Sequence, residues 1–231
     1  MGVDEAGMVA PPAAGQIFGE RLPLAEAYVR MLERSGVERG LIGPREVDRL
    51  WDRHVLNSAV VGDRVASGAR VIDVGSGAGL PGVPLAISRP DLSIVLLEPM
   101  ARRVDWLNEV VETLGLEITV VRGRAEERVI RDQLGHADVV TARAVAPLAK
   151  LAQWCLPLVR PGGVLVALKG ASAAEEVERD QLAVHRSGGG KAEIVECGGG
   201  LLETPTYLVS IERTQAETKS QARKRQRRGR E

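Results

Sequence analysis

Residues 71–84 read VIDVGSGAGLPGVP, an apolar run that ends on an aspartate and passes straight into a glycine-rich turn. This stretch restricts the fold more tightly than any other in the chain. Glycine accepts positive φ and lets the backbone come close to a ligand. A turn of this kind after a buried strand is where open α/β sheets hold nucleotide-like ligands. Two registers are possible. Asp73, Gly75, Gly77 and Gly79 spell Asp-x-Gly-x-Gly-x-Gly, which suits the methyl donor S-adenosyl-L-methionine. Gly77, Gly79 and Gly82 spell Gly-x-Gly-x-x-Gly, the dinucleotide pattern of NAD-dependent oxidoreductases. One register moves a methyl group, the other a hydride.

The surrounding pattern predicts strands at 70–74, 93–98, 117–121, 138–141 and 163–168, then near 191–196 and 206–211. Helices are expected between them at 82–88, 101–114, 125–134, 147–158 and 172–185. Alternation of this type gives a doubly wound, Rossmann-like α/β fold. The glycines at 198–200 leave only a short turn between the final two strands, so that pair is expected to be antiparallel. A seven-stranded, mostly parallel sheet with one reversed strand at its end suits a methyltransferase better than a dehydrogenase. Only 3% of the 231 residues are aromatic, so the core must rest on Val, Leu, Ile and Ala, as in parallel strands buried on both faces. Residues 1–15 are expected to be a flexible lead. Residues 16–68 carry helical periodicity, with Leu22, Ala25, Tyr28, Val29 and Leu32 at spacings of three and four. Residues 69–212 form the α/β domain and 213–231 a basic tail.

Asp73, Pro81 and Glu98 bear on the register. Glu98 ends the second strand and can accept hydrogen bonds from both hydroxyls of a ribose, which either ligand carries. A dinucleotide needs a helix N-terminus facing its pyrophosphate. S-adenosylmethionine has no phosphate but does have an ammonium and a sulfonium, so Asp73 beside the turn is expected to favour its positive end. Pro81 is tolerated only in the first turn of a helix, which delays the helix and spoils the dinucleotide register. After the third strand, Ala125 and Glu126 lie where the backbone could read an adenine edge.

Net charge is zero, with 31 basic and 31 acidic residues, but the balance is uneven. Residues 219–231, KSQARKRQRRGRE, hold seven Lys or Arg and one acid, which leaves about −6 on the rest of the chain. Such a segment cannot bury a core and is expected to be disordered, attracting phosphates without reading sequence. Cys155 and Cys197 make no disulfide framework, and no apolar run approaches the ~20 residues of a spanning helix. A soluble cytoplasmic protein with no membrane partner is expected.

The motifs DVGSGAGLPGVPLA, RHVLNS, LLEPMARRV, RAEE, ARAVAPL and ALKG occur in this order. With them the chain resembles the bacterial 16S ribosomal RNA guanine-N7 methyltransferases, once called glucose-inhibited division protein B. WDRHVLNSAV and GVERGLIGPREV look like the actinobacterial branch. The resemblance implies transfer of a methyl group from S-adenosylmethionine to N7 of one guanine in the 530 loop of 16S RNA. It also implies that Gly75, Leu80, Ala125, Glu126 and Arg143 contact the cofactor or its surroundings. Arg143, just after the fourth strand, can pair its fork with the cofactor carboxylate or an RNA phosphate. Lys169, ending the fifth strand, is a second cation at the mouth, for a phosphate or a guanine O6.

Guanine N7 holds a free lone pair, so no general base is required, and none is visible. His54, His136 and His185 are scattered, without a nucleophile or metal-ligand spacing around them. His54 reads as a packed or capping side chain. Trp51, Trp106 and Trp154 read as core at these helical spacings, with Trp154, which follows a strand-end loop, the first exception among them. A nicotinamide-dependent oxidoreductase and a non-catalytic nucleotide-binding regulator are the alternatives.

Overall fold

The computed structural model describes residues 8–143, 145–170 and 172–214. The basic stretch 219–231 lies outside them. Among the described residues seven strands form one sheet in the order β3-β2-β1-β4-β5-β7-β6. The strands are β1 (Arg70–Val74), β2 (Ser93–Glu98), β3 (Ile118–Arg122), β4 (Ala137–Arg143), β5 (Val159–Leu168), β6 (Gly189–Cys197) and β7 (Thr206–Arg213). The first five are mutually parallel, and β7 runs antiparallel to both β5 and β6. The connection order reverses between β1 and β4, so a crevice opens there at the carboxyl ends of the strands. Val74 lies opposite Ala142 in that pair, which brings Gly75 and Arg143 side by side at its rim.

Eight α-helices accompany the strands among the described residues: α1 (Pro12–Phe18), α2 (Leu22–Ser35), α3 (Asn57–Ala59), α4 (Gly82–Ser88), α5 (Ala101–Leu114), α6 (Arg128–Leu134), α7 (Leu148–Cys155) and α8 (Ala173–Arg186). Residues 44–64 form short 3-10 and π turns around α3. The apolar stripe of α2 buries Ala25, Tyr28, Val29 and Leu32. These residues belong to the same core cluster as Val71, Leu96 and Trp106, so the N-terminal helices and the sheet share one core. The opposite face of the sheet is covered by α6, α7 and α8.

Three local expectations need correction. The lead read as flexible is helical from Pro12, because proline suits the first turn and Ala14 and Phe18 have an apolar core to enter. The helix expected from 125 starts at Arg128, leaving Gly123–Glu127 as a loop. The helix expected over 147–158 ends at Cys155 and tightens into a 3-10 turn at Leu156–Leu158, because Pro157 cannot continue the α pattern.

Candidate active site

A cavity of about 650 Å³ lies at the carboxyl ends of β1, β2 and β4, within the range that holds a cofactor-sized ligand. Its floor is the glycine turn, from Val74 to Ala78. One wall is Leu97–Met100, another is the loop Gly123–Glu126, and the N-terminal segment closes it with Leu41, Ile42, Glu46 and His54.

The turn keeps its shape through bonds to its own neighbours. Gly75 N–H donates to Leu97 O at 2.8 Å and Ser76 Oγ to Asp73 O at 2.9 Å. Gly75 adopts φ +72°, and a Cβ there would come within 2.9 Å of Val145, so both backbone and space demand glycine. Glu98 is buried, with Oε2 accepting from Gly77 N–H at 2.9 Å and Oε1 from Met100 N–H at 3.0 Å. Each carboxylate oxygen keeps a further lone pair, the acceptor set a ribose diol needs.

Asp73 is placed differently from expectation. It does not line the cavity but is fully buried beneath the turn, where Oδ2 accepts from Gly82 N–H at 3.0 Å. Among the described residues its Oδ1 has no hydrogen-bond partner, and neither does the buried Oγ1 of Thr141, its neighbour in register on β4. Burial pushes the Asp73 carboxyl up to about 7, against the lowering effect of the Gly82 hydrogen bond. This geometry still decides the register. The first N–H of α4, which a pyrophosphate would need, is occupied by a side-chain oxygen, so the dinucleotide reading fails. Gly79 also stands off the cavity. A Cβ on it would meet Val83 at 2.7 Å and the Tyr28 hydroxyl at 3.1 Å, so it serves packing.

Arg143 lines the cavity, but its fork is turned toward the N-terminal segment. Nη1 donates to His54 O at 3.1 Å and Ser58 Oγ at 3.2 Å, and Nη2 donates to Arg53 O at 3.1 Å and to His54 Nδ1. The widened π turn at Leu50–Leu56 presents these carbonyls to it. The motif RHVLNS is therefore the docking strip for Arg143. Arginine can only donate, so His54 Nδ1 is the acceptor and Nε2 carries the proton, donated to Glu46 Oε2 at 2.8 Å. Burial and the Arg143 charge lower the His54 pKa against the pull of Glu46, which keeps the ring neutral. Burial works against ionisation of Glu46, but the His54 hydrogen bond and the Arg53 charge outweigh it and lower its pKa.

Lys169 does not reach this cavity. Its Nζ donates to Ala146 O at 2.7 Å and Glu176 Oε2 at 2.9 Å, in a second cavity of about 450 Å³ that shares Val145 with the first. Glu176 Oε2 and Asp180 Oδ2 accept from the first N–H groups of α7, Leu148 and Ala149, so this cluster fixes the start of that helix. Trp154 does line the main cavity, while Trp51 and Trp106 are core. Leu80, Ala125 and Glu126 line it as well, and the Ala125 carbonyl accepts from Arg131 Nε at 3.0 Å. Glu46, Arg103 and Ser76 were missed in the sequence. Arg103 stands in LLEPMARRV, so its motif carried a signal that its single letter did not. Among the described residues no group of three or more His, Cys, Asp or Glu is placed to hold a metal ion.

A family model described as rRNA small subunit methyltransferase G matches residues 21–204. The chain is 61% identical over 201 residues to the ribosomal RNA small subunit methyltransferase G of Rhodococcus jostii, covering 87% of this chain and 88% of that one. It is 56% identical over 207 residues to the protein of the same name from Corynebacterium efficiens, covering 89% of each. Both relatives are actinobacterial. A solved structure of a candidate S-adenosyl-L-methionine-dependent methyltransferase from Methanococcus maripaludis superposes with a TM-score of 0.56 at 16% identity. That match covers 81% of this chain and 92% of the other, and at this identity the likeness concerns the fold.

Proposed function

Because this chain belongs to the rRNA small subunit methyltransferase G family, we propose that it transfers a methyl group from S-adenosyl-L-methionine to N7 of one guanine in the 530 loop of 16S ribosomal RNA. The observation that carries the cofactor reading is the donor set of the main cavity. Glu98 offers lone pairs to a ribose, the Gly75–Gly77 backbone leaves room for a close approach, and Asp73 closes the site a pyrophosphate would use. In this reading the segment Gly123–Glu126 meets the adenine through the N–H groups of Ala125 and Glu126, because Gly123 N–H donates to Glu98 O, Arg124 N–H to Glu127 Oε2, and the Ala125 carbonyl accepts from Arg131.

When bound, S-adenosylmethionine supplies an electrophilic methyl group on a sulfonium. The acceptor N7 brings its own in-plane lone pair, so no side chain has to remove a proton before attack. The work left to the chain is orientation and exclusion of water. Leu41 and Ile42 close one side of the cavity, while Val145 and Trp154 present an apolar edge to the incoming base. Val145 also borders the cavity that holds Lys169, so the two cavities adjoin at that side chain. Arg143 serves this arrangement by holding the 53–58 strip against the end of β4.

Purified protein should methylate small subunits or 16S RNA from a strain lacking the modification, and mass spectrometry should place the methyl on N7 of a single guanine. Cofactor binding without transfer to either substrate would favour the non-catalytic regulator. An rRNA substrate supports a cytoplasmic location, and no described helix is long and apolar enough to cross a membrane. The basic stretch 219–231 is proposed to strengthen RNA binding without choosing the base. Its removal should flatten the dependence of affinity on salt, and an unchanged slope would reject that role.

A further inference from the structure

Among the described residues four arginines line the main cavity: Arg53, Arg103, Arg124 and Arg143. Their charges are committed to very different degrees. Arg53 pairs with Glu46 at 3.3 Å. Arg143 spends both Nη groups on Arg53, His54 and Ser58. Arg124 is exposed on the loop assigned to the adenine.

Arg103 differs from all three. It projects from the first turn of α5, is half-buried, and its Nε is buried without a hydrogen-bond partner among the described residues. Its Nη1 lies 3.9 Å from where a Cβ on Gly77 would stand, so the guanidinium sits against the glycine turn. Glu98, the acid whose side chain bonds the turn from the cavity side, gives its two oxygens to the N–H groups of Gly77 and Met100 and forms no ion pair with Arg103. A guanidinium that faces a ligand-sized cavity with no ion pair among the described residues asks for an anionic, planar oxygen pair.

From this placement we infer that Arg103 binds the α-carboxylate of S-adenosylmethionine, the role that the sequence suggested for Arg143. The inference rests on the cofactor reading above. With the ribose at Glu98 and the adenine at Gly123–Glu126, the amino-acid end of the cofactor extends along the glycine turn. The carboxylate is the only anionic group on that ligand. A fork beside Gly77 can receive it with two parallel N–H donors, while Arg143 has no free fork to offer.

The test is calorimetric titration of the full chain with S-adenosylmethionine and with its decarboxylated analogue. The proteins compared are the wild type, Arg103→Ala, Arg103→Gln and Arg103→Lys. The wild type should prefer the carboxylated ligand by about tenfold or more, the size of a charge-assisted pair. Arg103→Ala and Arg103→Gln should lose most of that preference while binding the decarboxylated analogue nearly as the wild type does. Arg103→Lys should keep part of it. Thermal melts control for folding, and Arg103→Gln keeps most of the side-chain stem should the alanine variant unfold. An undiminished preference in Arg103→Ala and Arg103→Gln would overturn the inference. So would unchanged cofactor affinity with weaker RNA binding and a flatter salt dependence, which would give the guanidinium to an RNA phosphate. Failure of the wild type to bind S-adenosylmethionine at all would reject the cofactor reading, and the inference with it.

Discussion

Tyr28 and Trp106 donate hydrogen bonds to the same acceptor, the carbonyl of Ala78, at 3.0 and 2.8 Å. One donor comes from α2 of the N-terminal segment and the other from α5, and the acceptor lies within the glycine turn. The turn that shapes the cavity is thus tied to a helix on the sheet and to one before it in the chain. Removing one donor leaves the carbonyl satisfied, and removing both leaves it buried and orphaned. Tyr28→Phe should cost about 1 kcal/mol, the net worth of one hydrogen bond, or a few degrees of melting temperature. Tyr28→Phe combined with Trp106→Phe should cost more than the sum of the single changes, as measured by a denaturant double-mutant cycle. Strict additivity would mean that the shared carbonyl does not couple them.

Arg143 works as a clasp, and lysine cannot reproduce its four-way contact because an ammonium lacks the planar fork. Arg143→Lys should retain the α/β fold by circular dichroism while speeding amide exchange in residues 44–58. Methylation should fall at least about tenfold, the effect of misplacing a wall of the site. Protection of 44–58 equal to wild type would refute the clasp.

His54 and Asp73 should give the fold opposite responses to pH. The folded chain lowers the His54 pKa below its ordinary 6.5, so on acidification the unfolded chain takes up a proton that the folded chain resists. That contribution is present above about 6.5 and is lost as the pH falls. Asp73 is raised from 3.8 to about 7, so the folded chain holds a proton that the unfolded chain has released. Its contribution is present below 3.8 and is lost as the pH rises toward 7. Melting curves from pH 4 to 8 separate the two. The advantage of wild type over His54→Gln should shrink on acidification, whereas Asp73→Asn should gain on wild type as the pH rises. Parallel curves for either pair would show that the group titrates alike in both states.

Glycines of one motif carry different burdens. A Cβ on Gly82 would fall 2.2 Å from Leu96 Cδ2 and 2.9 Å from Asp73 Oδ2, in a fully packed layer. At Gly77 the nearest fixed atom is 3.7 Å away, and the cost is only its φ of +56°. Gly82→Ala should destabilise by about 2–3 kcal/mol through overpacking, and Gly77→Ala by about 1 kcal/mol from backbone strain. In exchange, Gly77→Ala should weaken cofactor binding more, because Gly77 lines the cavity. Denaturant melts and calorimetry on the same two variants check both halves.

The strand and helix order was readable because each element has its own period. SIVLLE is a buried strand in any setting, and α5 shows its stripe of Trp106, Leu107, Val110 and Leu114 without help from the rest of the fold. The reversed β7 followed from a connection too short for a crossover helix. Glu98, Gly75 and Gly77 were equally legible, since a strand end and a glycine turn place themselves. Legibility stopped where a side chain could point two ways. Asp73, Arg143 and Lys169 all stand at strand ends, yet one turns under the loop, one toward the N-terminal strip and one into a neighbouring cavity.

Local sequence by itself determined the sheet, the glycine turn and the kind of ligand the turn admits, because backbone preference and hydrophobic period act over a few residues. Which charged groups meet the ligand was decided only by tertiary structure. A buried cation settles where acceptors separated from it in sequence will satisfy it, and for Arg143 those acceptors lie 85 to 90 residues away. Arg103, whose Nε is left without such a partner among the described residues, is the cation we infer to meet the cofactor.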